Sequence, residues 1–136
     1  MKNNKGFSLV ELIIVIAIMA ILVGVIAPQL IKYIEKTNES SDTQLCDSIR
    51  SALTTAALDP DVVKDGHGIT MTGTTVSACC TDSTYKAAVE DILGFSVGTE
   101  ASKLKSKAGK SAGIHVSIAG SNAITVYCNS SIKSGN

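Results

Sequence analysis

Residues 5–20 read KGFSLVELIIVIAIMA, and this stretch decides what kind of chain follows. It joins a basic end to an apolar run and places one carboxylate, Glu11, at the front of that run. From Leu12 to Ile31, 20 consecutive residues carry no charge. As a helix rising about 1.5 Å per residue, the run is roughly 30 Å long, the thickness of a hydrocarbon core. Lys2 and Lys5 precede it with no acid among residues 1–6, which holds that end in the cytoplasm and directs the remainder outward. A lone carboxylate beside lipid is costly, and a plain signal anchor has no need of Glu11.

A conventional cleaved signal has its small-residue cleavage site after the apolar core. Here the only such end is GVIAP, where Pro28 would directly follow the cut, a poor arrangement. The small residue in good context is Gly6, before the core. The order is basic leader, Gly6, Phe7, then an apolar helix that starts polar. These residues resemble the class III signal of type IV pilins and pseudopilins, with G-FSLVE matching at Gly6, Phe7, Ser8, Leu9, Val10 and Glu11. The resemblance runs through the apolar segment and weakens beyond about Asn38.

The resemblance implies a noncatalytic structural subunit that needs no cofactor. A prepilin peptidase would cut between Gly6 and Phe7 and methylate the new amine of Phe7. The precursor would be a single-pass protein of the inner or cytoplasmic membrane, with its C-terminus outside. The pilus assembly platform and its ATPase would then add it to other copies of itself in a helical homopolymer at the cell surface. In that setting Glu11 would pair with the Phe7 amine of a neighbour, neutralising both charges inside an apolar filament core. Within the family the alternative is a pseudopilin of a type II secretion or DNA-uptake apparatus. From another class, the rival is a signal-anchored extracytoplasmic binding domain.

The expected fold is α+β: one long N-terminal helix packed on a small C-terminal domain with a short helix and an antiparallel β-hairpin. The expected segments are a leader (1–6), a transmembrane or filament-core half-helix (7–31), an amphipathic half-helix (32–58) and a disulfide-stapled globular domain (59–136). Pro28 lacks an amide hydrogen and crowds the carbonyl of Gly24, so Gly24 and Pro28 mark a weak point of the helix. A tolerated membrane-helix proline is the other reading. Further on, Leu45, Ile49, Ala52, Leu53 and Ala56 share one face, with Asp42, Asp47 and Arg50 placed elsewhere. The helix should end near Leu58, before Asp59-Pro60.

Beyond it, residues 60–80 read as loop with a short strand. Asp82 or Ser83 is positioned to cap a helix through YKAAVEDIL, with Tyr85, Val89, Ile92 and Leu93 inward and Gly94 as its stop. FSVGTEASKLKSKAGKSAG reads as loop. IHVSIAG and AITVYC, joined by a turn at Ser121-Asn122, read as a hairpin with Ile114, Val116, Ile118, Ile124 and Val126 facing inward.

Charge gives no nucleic-acid signal, since 12 Lys and Arg balance 12 Asp and Glu. Lys103, Lys105, Lys107 and Lys110 lack interleaved aromatics for base stacking and read as a solvated surface. Two histidines, His67 and His115, and four cysteines do not show C-x-x-C ligand spacing, so no metal site is expected. No Ser-His-Asp set, carboxylate pair or phosphate loop is legible. For an outward-facing domain, Cys46, Cys79, Cys80 and Cys128 are disulfide candidates. Adjacent cysteines rarely bond each other, which leaves Cys46–Cys79 with Cys80–Cys128, or Cys46–Cys80 with Cys79–Cys128.

Overall fold

The computed structural model describes residues 6–64, 66–70, 72–119, 123–129, 132 and 134. The fold is α+β: a long helix, α1 (Leu9–Ala56), is followed by short helices and a two-stranded antiparallel sheet. The chain divides into two compact units, Met1–Ile34 and Glu35–Asn136, and α1 contributes to both.

In the first unit every described residue, 6–34, is exposed. These residues include Leu12, Ile16, Leu22 and Ile26, each more than half exposed. A helix apolar all round is a helix meant for surroundings that are themselves apolar. Pro28 lies within α1 and the helix is assigned without a break through Gly24 and Pro28.

In the second unit α1 has a solvent face and a buried face. The buried positions are Asp42, Cys46, Ile49, Ala52, Leu53 and Ala56, spaced by three or four residues so that they form one stripe. Ile49 and Leu53 are fully buried, each worth about 1.5–3 kcal/mol relative to exposure. One expectation is corrected here: Asp42 is not off this face but fully buried on it. Its carboxylate accepts hydrogen bonds from the Lys105 amide (2.8 Å), the Ser106 amide (2.9 Å) and the Ser106 hydroxyl (2.5 Å). Glu35, two turns earlier, accepts the Lys107 amide at 2.7 Å. Three successive backbone amides are thus held by carboxylates of α1.

Residues 60–80 differ from expectation, because short helices stand where a strand was read. Helix α2 (Pro60–Lys64) begins where Asp59 accepts the Asp61 amide at 2.9 Å, with Pro60 at the first helical position, where its missing amide costs nothing. Helix α3 (Val76–Cys79) is capped by the Thr75 hydroxyl, which accepts the Ala78 amide. The β-branched residues before it find partners locally: the Thr70 and Thr72 amides donate to the carbonyls of Cys79 and Ala78.

Helix α4 (Ser83–Leu93) follows the sequence closely. The Asp82 side chain accepts the Thr84 and Tyr85 amides, and Gly94 closes the helix at φ 71°, a conformation suited to glycine. Tyr85 and Val89 are buried and Leu93 packs against the core, whereas Ile92, expected inward, is 48% exposed. The Tyr85 hydroxyl donates to the Leu53 carbonyl at 2.7 Å, joining α4 to α1.

The segment read as loop after Gly94 contains a 3-10 turn (Glu100–Lys103) and helix α5 (Lys107–Ala112). The cap of α5 is Ser106, whose hydroxyl accepts the Gly109 amide while donating to Asp42. Periodicity was absent because six residues are too few to display it.

Strands β1 (His115–Ala119) and β2 (Ala123–Tyr127) pair antiparallel, with Val116 opposite Val126 and Ile118 opposite Ile124. Ile114, Val116, Ile124 and Val126 are buried and Ile118 is half-buried. The expected Ser121-Asn122 turn lies outside the described residues. The Val116 amide donates to the Thr74 carbonyl, while the Val126 amide and carbonyl bond to Ser134. Both outer edges of this two-stranded ribbon are therefore engaged locally, as a short sheet requires.

Candidate functional site

Glu11 is the acid that the apolar run seemed not to need. Ser8 precedes the first residue of α1, and the Leu12 amide donates to its carbonyl at 3.2 Å. The Glu11 carboxylate reaches back and accepts the Ser8 amide at 2.8 Å. This is the reciprocal half of a capping box: an acid at the third helical position satisfies the amide of the cap residue. The Ser8-x-x-Glu11 spacing is the sequence signal for this box, and it gives Glu11 a local role beside the pairing expected of it. Near the helix N-terminus, the carboxylate also faces the positive end of the peptide dipoles. A carboxylate offers more than one acceptor position, so this bond does not exhaust Glu11.

Gly6 and Phe7 lie just before the helix, in irregular backbone, and Phe7 is 86% exposed. A Cβ added at Gly6 would meet nothing within 4 Å. The site therefore consists of an accessible Gly6-Phe7 peptide bond followed, one helical turn on, by an acid held at the helix start. Lys2 and Lys5, the basic residues before it, lie outside the described residues.

Residues 1–27 match the family described as the prokaryotic N-terminal methylation motif. The chain is also similar to known pilus proteins. Over 40 residues the chain is 50% identical to the type IV wide pilus major component PilA4 of Thermus thermophilus, covering 29% of this chain and 30% of the relative. Over 62 residues it is 39% identical to the type IV major fimbrial protein FimA of Dichelobacter nodosus, covering 46% and 40%. The chain thus spans less than half the length of these relatives. No solved structure matches it. The methylation-motif segment includes Gly6, Phe7, Glu11 and Gly24, and it stops one residue short of Pro28.

Cys46, Cys79, Cys80 and Cys128 are all buried. The structure brings Cys46 to Cys128, with sulfurs 3.6 Å apart, a pairing outside both connectivities read from the sequence. The physical cause is the stripe on α1, which carries Cys46 to the inner face of the ribbon where Cys128 follows β2. Cys79 ends α3 and Cys80 is its C-cap. Burial raises the Cys79 thiol and pushes Cys80 up to about 12, so neither is an activated nucleophile.

His67 and His115 lie in separate settings. His67 Nδ1 sits 2.6 Å from Asp82 Oδ2, and His115 packs its ring on Tyr127 with centroids 5.7 Å apart. Among the described residues no three His, Cys, Asp or Glu side chains gather in a metal-binding arrangement. Lys103, Lys105, Lys107 and Lys110 are all exposed. Lys103 stands 5.2 Å over the Phe95 ring.

Proposed function

We propose that this chain is a pilin-like subunit of a type IV pilus-like extracellular filament. The observation that carries the reading is the methylation-motif match over residues 1–27, together with the exposed apolar helix that begins within it at Leu9 and continues past it. Such a helix is suited first to lipid and then to a bundle of identical helices. Both relatives are named as major components, which favours a filament subunit over a pseudopilin.

In this reading prepilin peptidase cleaves the Gly6-Phe7 bond and methylates the Phe7 amine. Glu11 then has two tasks. Within its own chain it caps the helix through the Ser8 amide; between chains it pairs with the Phe7 amine of the neighbouring subunit and sets the axial offset. Gly24 and Pro28 mark where the helix loosens as it leaves lipid for the filament, because the Gly24 carbonyl receives no amide from Pro28. The unit from Glu35 onward faces outward and forms the filament surface.

Intact-protein mass tests the processing route. Loss of residues 1–6 with gain of one methyl group is expected. A mature chain that retains MKNNKG would reject the reading in favour of a signal-anchored extracytoplasmic domain.

A further inference from the structure

The strongest unassigned relationship in the molecule is between Cys46 and Cys128. They are separated by 82 positions, both are buried, and their sulfurs lie 3.6 Å apart. We propose that Cys46 and Cys128 form an intramolecular disulfide in the exported protein, stapling the end of β2 to the long helix without Cys79 or Cys80. A disulfide bond is about 2.05 Å long, so the sulfurs need to close by roughly 1.5 Å, within the reach of small side-chain rotations. Each cysteine is held by regular structure. Cys46 lies within α1, and the Cys128 amide donates to the Ile132 carbonyl at 2.8 Å, which fixes the chain just past β2.

Either sulfur can donate to the other across this contact, and the staple is the same whichever reacts first. The oxidant is an exported protein disulfide, written R–S–S–R, met while the domain is still closing. With Cys128 reacting first, its thiolate attacks one sulfur of the oxidant, forming a Cys128–S–S–R mixed disulfide and releasing one RSH. Cys46 then attacks the Cys128 sulfur, forming the Cys46–Cys128 bond and releasing the second RSH. The two cysteine protons end on the two released thiols; the protein is oxidised by two electrons and the oxidant is reduced by two.

The proposal rests on the outward placement of this unit in the filament reading, and one sample tests the two separately. Full-length protein from the cell envelope is alkylated under denaturing, non-reducing conditions and digested with trypsin. Cleavage after Lys36, Arg50, Lys64, Lys86, Lys110 and Lys133 puts Cys46, the Cys79-Cys80 pair and Cys128 in three different peptides, 37–50, 65–86 and 111–133. The expected result is peptide 37–50 linked to 111–133 and separated by reductant, with 65–86 joined to neither. The link should vanish in Cys46→Ser and persist in a Cys79→Ser/Cys80→Ser double variant. Reduction should lower Tm by roughly 10 °C or more, because the bond closes a long loop in the unfolded chain. Four alkylated cysteines, or a link from 65–86 to either other peptide, overturn the proposal. If the mature chain with free thiols has lost residues 1–6, the staple fails and the filament reading stands; if it keeps them, both fall.

Discussion

Asp42 on the long helix accepts hydrogen bonds from both the amide and the hydroxyl of Ser106, 64 positions away. Together with the Lys105 amide, these bonds compensate a carboxylate that is wholly removed from water. The arrangement sets the start of α5 on α1, because Ser106 is simultaneously the α5 cap.

Replacing Asp42 should therefore cost far more than a surface acid. Asp42→Ala leaves two amides and a hydroxyl without their acceptor, each worth about 1–3 kcal/mol when buried and unmet. The expected loss is about 3 kcal/mol or more, read from denaturant melts of the detergent-solubilised chain. A loss under about 0.5 kcal/mol, typical of surface sites, would show that these bonds do not support the fold.

Gly109→Ala reverses a familiar rule. In a helix interior alanine is ordinarily better than glycine by about 1 kcal/mol. Here a Cβ would stand 2.5 Å from Asp42 Oδ2, 2.8 Å from Ser106 Oγ and 3.3 Å from Leu104 Cδ2. The substitution should instead destabilise by about 2 kcal/mol, as overpacking does. A rise in Tm would contradict the close approach.

Acid should weaken the start of α4. Asp82 is held below the usual carboxylate range, first by the Tyr85 amide, then by the side chain and charge of His67 and by the Thr84 amide, against some desolvation. A carboxylate depressed in the folded state stabilises above its unfolded value, here 3.8, and loses that contribution as pH falls through the folded value. Protection of the α4 amides from hydrogen exchange should be insensitive to Asp82 near neutrality and decline below about pH 4. Asp82→Asn should flatten that decline; an unchanged acid profile in the variant would assign it to other groups.

Charge and capping at Glu11 separate by choice of substitution. Glu11→Gln keeps an acceptor for the Ser8 amide, as glutamine serves in capping boxes, but removes the charge. Glu11→Ala removes both. Both variants should insert in the membrane, and only Ala should fray the first turn of α1. If inter-subunit pairing with the Phe7 amine drives assembly, both should form few or no filaments by electron microscopy. Wild-type filament yield from Glu11→Gln would sink the pairing mechanism.

The half of the molecule governed by short-range rules was legible in advance. The uncharged run, the Asp82 cap with its Gly94 stop, and the alternation in β1 and β2 are each contiguous in the chain. Helical periodicity and strand alternation also placed Ile49, Leu53, Val116 and Val126 in the core. Short helices α2, α3 and α5 escaped because caps rather than periodicity define them. Ile92 broke its pattern because the buried face of α4 is narrower than its apolar one.

By itself, the sequence determined that a long apolar helix follows a basic N-terminal segment, since length, charge and local spacing are properties of the chain alone. Only the tertiary structure decided that Asp42 is buried and that Cys46 meets Cys128. An acid among polar neighbours on a helix looks solvated until amides from residues 105 and 106 arrive to receive it. Four cysteines admit several pairings until the stripe on α1 is laid against the ribbon. Both outcomes depend on which distant backbone closes over a helix face, and spacing along the chain carries no record of that.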